Sequence, residues 1–397
     1  MKVLFLSNLY PPHFIGGYEQ LCMDAVDGLT ARGHECHVLT STYGVDRQTR
    51  EGHVYRLLQL EGDFYGARHG LAELNSIRVS NERILEQTLA DLAPDVVFIW
   101  SMRRFSRSLI LLVEKLHPAV LYYVTDNWLL DQYRPTTANL RKYLTSYRNL
   151  LQKPKVSNVI CSSEHMKKEM VESGIPLSNA KIIHNGVNLT PYLSIVRPEP
   201  QDTMKILYMG RLVEQKGVHT LVTAFVSLCA QPRGMKPALS IVGEGDAQYV
   251  ESLKRVVSES GNEAAVSFIG NVPREELANY FACHDIFVFP SIWQEPFSLT
   301  LIMALASGIP VVGTLTGGSK EILRDRHNSL AFQAGDSVDL ADKLELLLND
   351  QKLRASLARQ GRSDALSCNL PVMIDEVETF LKGVIEGNPV FISQKVG

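Results

Sequence analysis

Ser291-Ile-Trp-Gln-Glu295-Pro-Phe-Ser-Leu-Thr-Leu-Ile-Met303-Ala-Leu-Ala-Ser-Gly308-Ile-Pro310-Val-Val reads as one strand–helix unit opening onto the next. The apolar run Ile286–Phe289 before it is a buried strand, a polar loop presents Glu295, and a helix begins near Phe297 or Ser298. Gly308 ends the helix and Pro310 opens another strand. That order needs a parallel sheet with crossover helices. The free amides of the helix start lie beyond a strand's carboxyl end, where such sheets bind anionic ligands. Glu295 just ahead of them repels phosphate but can accept hydrogen bonds from sugar hydroxyls. Capping of a surface helix is the plainer alternative.

The same rhythm extends in both directions. In the second half it predicts strands at Met204–Met209, Ala238–Val242, Ala265–Ile269, Asp285–Phe289, Pro310–Gly313 and Leu330–Phe332. Helices fall near Gly217–Ala230, Ala247–Gly261, Glu275–Cys283 and Phe297–Ser307, with tail helices at Ser337–Asn349, Gln351–Ser367 and Pro371–Glu386. In the first half, strands are expected at Lys2–Ser7, Glu35–Thr40, Asp95–Trp100, Ala119–Val124, Asn158–Ser162 and Lys181–His184. Glu19–Arg32 sets Leu21, Cys22, Ala25, Val26 and Leu29 on one helical stripe and stops at Gly33; a second helix covers Ser76–Leu92. Thr190–Thr203, with three prolines and no periodicity, reads as a linker.

The 397 residues exceed one core, which rarely grows past roughly 250–300 residues. Two doubly wound α/β domains are therefore expected, with a ligand cleft between them. Apolar residues make up 45% and charged residues 21%, which excludes disordered, collagen-like and coiled-coil chains. A net charge of −3, from 40 Lys+Arg and 43 Asp+Glu, provides no global field for nucleic acid. Six scattered cysteines without a C-x-x-C pair argue against zinc sites and disulfide scaffolds, and for reduced thiols. No run approaches the roughly 20 apolar residues that span a bilayer. A cytoplasmic protein is expected. Arg103, Arg104 and Arg107 before Leu109–Val113 leave weak contact with the inner face of a membrane as one reading, and a basic first turn on a buried helix as the other.

Three further segments carry chemistry. Met204–Gly217 runs from a strand into Gly210, after which Arg211 and Lys216 flank a helix start, a pair suited to a diphosphate or to a solvated turn. Tyr10–Glu19 contains Gly16-Gly17 at a helix start, where backbone amides can approach phosphate, though no G-x-G-x-x-G triplet follows the strand. Val242-Gly243-Glu244-Gly245 is weaker still. His13 and His184 read as loop and structural residues.

Together these segments resemble the retaining, nucleotide-sugar-dependent glycosyltransferases of family four, the group 1 glycosyl transferases. The resemblance spans the chain: Gly16-Gly17-x-Glu19, Arg32–Thr40, His184–Asn188, Gly210–Gly217, Val242–Asp246, Ser267–Val272, Glu295–Val312 and Thr316–Ile322. It implies the GT-B fold, an α/β architecture of two Rossmann-like parallel-sheet domains facing a central cleft. Residues 1–190 would take the acceptor and 204–370 the nucleotide-sugar donor, with 371–397 crossing back to the first domain. Arg211 and Lys216 would grip the donor diphosphate, Glu295 the hexose hydroxyls, and the amides of Phe297, Ser298, Leu299 and Thr300 the sugar and phosphate. Gly210, Gly243 and the strand end at Ile269 and Asn271 would lie against the nucleotide, and Gly16 and Gly17 would approach from the other domain. The donor is a co-substrate, expected as a UDP-hexose; no cofactor or metal is implied, since two cations meet the leaving charge. The acceptor would be a glycan, a lipid-linked sugar or a small molecule, chosen by loops near residues 61–75 and 126–145.

Two positions depart from the family pattern. Its E-x₇-E motif places a second Glu at position 303, where this chain has Met303. That Glu accepts ribose hydroxyls, and losing it costs on the order of 1.5–3 kcal/mol, or roughly ten- to a hundredfold in affinity. The His-Asp pair of many relatives is Thr125-Asp126 here, leaving Asp126 as a contact for sugar or acceptor hydroxyl, or as a turn residue. Met303 keeps a non-catalytic nucleotide-sugar binder in view, and a nucleotide-sugar epimerase shares the fold. A Rossmann oxidoreductase lacks its fingerprint.

Overall fold

A computed structural model of the chain describes residues 1–62, 69–134, 152–177, 179–197, 202–231 and 235–387. The chain divides into two compact units, Met1–Asn185 with the stretch from Pro371 onward, and Gly186–Leu370. Parts of the two expected acceptor loops, 63–68 and 135–145, lie outside the described residues, as do 198–201 of the expected linker.

The first unit holds an eight-stranded sheet. Its strands are β1 (Lys2–Ser7), β2 (Glu35–Ser41), β3 (Thr49–Glu51), β4 (Val54–Leu58), β5 (Val96–Ser101), β6 (Val120–Val124), β7 (Val159–Cys161) and β8 (Lys181–Ile182). They lie in the order β3-β4-β2-β1-β5-β6-β7-β8. All pairs are parallel except β3 on β4. The central strands read as unbroken apolar runs because helices cover both faces: β5, Val-Val-Phe-Ile-Trp-Ser, is buried throughout. The β3–β4 hairpin escapes the sequence reading, because three polar residues at a sheet edge carry no periodic signal. The helices at Trp128–Tyr133 and Glu164–Glu172 escape it too. Both are shorter than the window in which a helical stripe becomes visible.

The helix Gly17–Ala31 buries the predicted stripe from Leu21 to Leu29. It packs on the C-terminal helix Leu370–Ile385, and a Cβ at Gly28 would stand 2.8 Å from the Ile374 side chain. Arg32 donates to Asp375 at 2.5 Å and Glu378 at 2.8 Å beside this contact. The apolar face explains the docking, and the charges fix its register.

The second unit holds a six-stranded, all-parallel sheet in the order β11-β10-β9-β12-β13-β14. These are β9 (Thr203–Met209), β10 (Lys236–Val242), β11 (Val266–Ile269), β12 (Ile286–Phe289), β13 (Val311–Gly313) and β14 (Leu330–Ala331). The helix after β12 covers Leu299–Ala306 and is apolar apart from Thr300, because Leu301–Ala306 are buried.

The expected linker, Thr190–Thr203, is corrected on two counts. The division between units falls at Asn185 and Gly186, earlier than the prolines, and Gly186–Ile195 belongs to the second unit. Thr190–Leu193 is a short helix with proline at its start, where the missing amide costs nothing. Arg197, half-buried, then donates from Nε to the carbonyl of Ser307 at 3.2 Å and from its terminal nitrogens to the carbonyls of His284 and Phe281. Burial pulls the Arg197 guanidinium down to about 10. The described part of the segment, as far as Arg197, is strapped down.

Candidate functional site

The predicted donor-side residues stand at the carboxyl ends of β9, β10, β11 and β12 in the second unit. Gly210 ends β9, and its amide donates to the carbonyl of Val242 at 3.0 Å. Gly243 follows β10 with φ +132°, and a Cβ there would lie 2.0 Å from the Gly210 carbonyl oxygen. These two glycines allow adjacent turns to touch. Gly217, with φ +67°, does the same beside β12, where a Cβ would lie 2.0 Å from the Pro290 oxygen. The turn Glu214–Lys216 is thereby pressed against the loop that carries Glu295, and the Gln215 carbonyl accepts from the amides of Ile292 and Trp293 at 3.1 and 3.2 Å.

Lys216 and Glu295 meet as a consequence. The Lys216 ammonium lies 2.5 Å from Oε1 of Glu295, which is only 4% exposed. Ser291, 1% exposed, donates its hydroxyl to the same Oε1 at 2.7 Å. The Lys216 ammonium also sits 5.7 Å from the centre of the Trp293 ring, within cation–π range. From the other side, the Gly318 amide donates to the Glu295 carbonyl at 2.6 Å and the Gly317 amide to Gln294 Oε1 at 2.8 Å. Glu295 is thus held by backbone and carboxylate together, with Oε2 free of partners among the described residues.

Arg211 is exposed, and no described carboxylate pairs with its guanidinium. Its carbonyl is fixed by the Tyr208 hydroxyl at 2.9 Å. Burial, helped by the Glu295 charge, pushes the Tyr208 phenol far above its ordinary range, so it stays a neutral donor. Tyr208, Gly210, Arg211, Lys216, Ser291 and Thr300 line a cavity of about 110 Å³. Ser298 caps the helix that carries Thr300, accepting from the Leu301 amide at 3.4 Å, with its hydroxyl 3.1 Å from that of Thr300. Phe297 is buried, while Leu299 and Thr300 are half-buried in the first turn. A small cavity with two cations, three hydroxyls and a helix start has the chemistry of an anion site.

The expected base-holding edge is partly engaged within the protein. The Ile269 carbonyl accepts from the Gly243 amide at 2.9 Å, and the Asn271 amide faces Glu244 Oε1 at 3.4 Å. Met303 is 6% exposed and packs in an apolar cluster with Phe289, Phe297 and Leu301.

The remaining predicted residues lie in the first unit. Gly16 caps the helix Gly17–Ala31, and its amide donates to Glu19 Oε2 at 3.0 Å, so this helix start is already occupied by a carboxylate. Burial raises the Glu19 carboxyl above its ordinary range, Asp126 adds to the shift, and the Gly16 amide and Arg103 oppose it. Asp126 follows β6 and accepts from the Trp128 amide at 2.8 Å while pairing with Arg103 at 3.1 Å. Arg107 is 5% exposed and donates to the carbonyls of Gln132 and Gln152. These arginines are therefore not a free basic face for a membrane. Leu109, Ile110 and Val113 of the helix Arg107–Leu116 are buried.

Sequence reading singles out no role for Ser291, Trp293 or Tyr208. The first two stand within the quoted loop, but only the folded turn brings them to Lys216. Among the described residues there is no group of three or more His, Cys, Asp or Glu that could hold a metal ion, and no helix long and apolar enough to cross a membrane.

Residues 193–364 match the family described as glycosyl transferases group 1, and residues 15–190 match glycosyltransferase family 4. An uncharacterized glycosyltransferase of Methanocaldococcus jannaschii is 25% identical over 386 residues, 92% of this chain and 93% of that protein. The lipopolysaccharide core biosynthesis glycosyltransferase LpsE of Rhizobium meliloti is 31% identical over 162 residues, covering 41% of this chain and 44% of that protein. Among solved structures, sucrose-phosphate synthase from Thermosynechococcus elongatus superposes with a TM-score of 0.74 at 19% identity, covering 98% of this chain and 100% of that one. Anabaena HepE in complex with UDP and glucose superposes with a TM-score of 0.71 at 19% identity, covering 96% and 100%. At that identity the likeness is one of fold, the two-domain GT-B architecture.

Proposed function

The chain belongs to the group 1, family four, glycosyltransferases, and we propose that it transfers a hexose from a UDP-linked donor to an acceptor hydroxyl with retention of configuration, in the assembly of a glycan. The observation that carries this reading is the cavity in which Lys216, Arg211 and the start of the helix Leu299–Ala306 converge beside Glu295. No carboxylate among the described residues pairs with Arg211, which leaves its guanidinium to take a diphosphate oxygen. Lys216 takes a second oxygen, and Glu295 Oε2 accepts a hexose hydroxyl.

In the transfer, the acceptor oxygen bonds to the anomeric carbon on the face the diphosphate leaves. The bond from that carbon to the phosphate oxygen breaks, with its electron pair leaving on UDP, and the acceptor proton passes to the departing phosphate. Charge grows on the diphosphate as the bond breaks. Preorganised cations at that position stabilise it, and such electrostatic stabilisation is usually the largest single catalytic contribution. Arg211 and Lys216 meet the charge without a metal. Asp126, fixed by Arg103 and the Trp128 amide, is proposed as the polar contact of the first unit for the sugar or acceptor hydroxyl. Gly17, exposed at its helix start, is proposed to approach the donor from that unit.

Met303, buried among apolar side chains, favours a second reading in which the chain binds a nucleotide sugar without turning it over. Incubation with UDP-, GDP- and dTDP-hexoses separates the two. Release of nucleotide from at least one donor is expected; tight binding with no release from any donor supports the second reading.

A further inference from the structure

We infer that Ser291 is a positioning residue, which aims the carboxylate of Glu295 at the donor sugar independently of Lys216. The inference rests on the donor-site reading above.

The geometry makes the case. Oε1 of Glu295 receives two donors, the Lys216 ammonium at 2.5 Å and the Ser291 hydroxyl at 2.7 Å. With both on one oxygen, the carboxyl plane is fixed and Oε2 is the oxygen left to accept from a ligand. The two anchors are not equivalent. Lys216 lines the cavity beside Arg211, so an arriving diphosphate competes for its ammonium. As that charge is shared, the hold of Lys216 on Glu295 loosens when the sugar must be held. Ser291 lines the same cavity, but as a neutral hydroxyl only 1% exposed it carries no charge for the diphosphate to draw away.

Ser291 is itself secured. Its carbonyl accepts from the Thr314 hydroxyl at 2.6 Å and from that of Thr316 at 3.4 Å. Its hydroxyl has two alternative acceptors at 3.4 Å, the Gln215 and Trp293 carbonyls, both much longer than the contact to Glu295. A hydroxyl with one short acceptor, on a loop tied to β13 and to the Lys216 turn, works as a fixed pin. A hydrogen bond to a charged group is the strong kind.

The test compares Ser291→Ala with the wild type in two readouts. One is nucleotide release from UDP-glucose and GDP-mannose without added acceptor; the other is affinity for UDP and GDP alone. Free nucleotide has no hexose for Glu295, so its affinity should stay within about threefold. Release should fall roughly ten- to a hundredfold, the size of one charge-assisted hydrogen bond. Ser291→Cys, which fills the same space with a weak donor, should show the same split and serves if the alanine variant does not fold. Ser291→Thr, which keeps the hydroxyl, should restore release. Release unchanged in both Ser291→Ala and Ser291→Cys overturns the role. An equal loss of release and free-nucleotide affinity also overturns it, because that marks a collapsed loop. If the wild type neither binds nor turns over any of these ligands, the donor-site reading itself fails, which differs from failure of Ser291 alone.

Discussion

The Lys216 ammonium stands 2.5 Å from Oε1 of Glu295, joining the turn after β9 to the loop after β12 across 79 residues of sequence. The carboxylate is almost buried, and removing one partner of a buried pair leaves the other charge uncompensated. Lys216→Ala and Glu295→Gln should each destabilise the protein by roughly 1–3 kcal/mol. The double variant should lose less than the sum, because neither charge is left alone. Turnover should stay orders of magnitude low in all three. Urea unfolding of the four proteins checks the cycle; strict additivity would mean that the pair contributes nothing to the fold.

Gly217 sets the height of Lys216. Its φ of +67° is strained for any L residue, and a Cβ would meet the Pro290 carbonyl 2.0 Å away. Gly217→Ala should cost at least about 2 kcal/mol and should lower turnover further than that loss of folded protein explains. Thermal melting alongside donor turnover reads both effects. A variant of normal stability and activity would show that the turn is free to move.

Met303 offers a test by addition. The thioether is 6% exposed in an apolar cluster, so a carboxylate there is buried without a partner in the free protein. Met303→Glu should cost on the order of 2 kcal/mol in the absence of ligand. If ribose hydroxyls reach this position, saturating nucleotide should raise the melting temperature of the variant more than that of the wild type. Equal ligand-induced shifts would place the ribose elsewhere.

Much of this is legible in sequence, for physical reasons. Buried parallel strands such as Phe-Val-Phe after Ile286 announce themselves by apolar continuity. The glycines and prolines that punctuate them mark the ends of the helix Leu299–Ala306 to within two residues. The pairing of Lys216 with Glu295 is not legible. Each residue reads as a donor contact in its own right, and nothing in their types says that one would neutralise part of the other. Ser291 is equally silent, because its role depends on a carbonyl geometry set by Thr314 and Thr316. The strapped segment around Arg197 misleads because prolines report a loss of regularity, whereas anchoring is decided by which carbonyls lie within reach.

Glu378 gives the fold a pH signature. Hydrogen bonds from Lys382 and Arg32, with one from His34, hold its carboxyl down at about 2, below the ordinary value near 4.3. A depressed carboxylate stabilises the folded state above its unfolded pKa, and that contribution is lost as pH falls. Wild type should therefore exceed Glu378→Gln in stability at pH 7 by roughly 1 kcal/mol, and the gap should close between about pH 4 and pH 2. A gap that widened on acidification would contradict the sign.

The central claim is that the carboxyl edge of the second unit binds the diphosphate of a nucleotide sugar through Arg211 and Lys216. Arg211 is the clean probe, being exposed and without a carboxylate partner among the described residues, so Arg211→Ala should melt with the wild type in the absence of ligand. The direct measurement is the change in melting temperature of both proteins with millimolar UDP, GDP and dTDP. A rise of several degrees is expected for wild type with one of them, UDP first, and most of it should vanish in Arg211→Ala. No rise with any nucleotide, or an undiminished rise in the variant, would contradict the account.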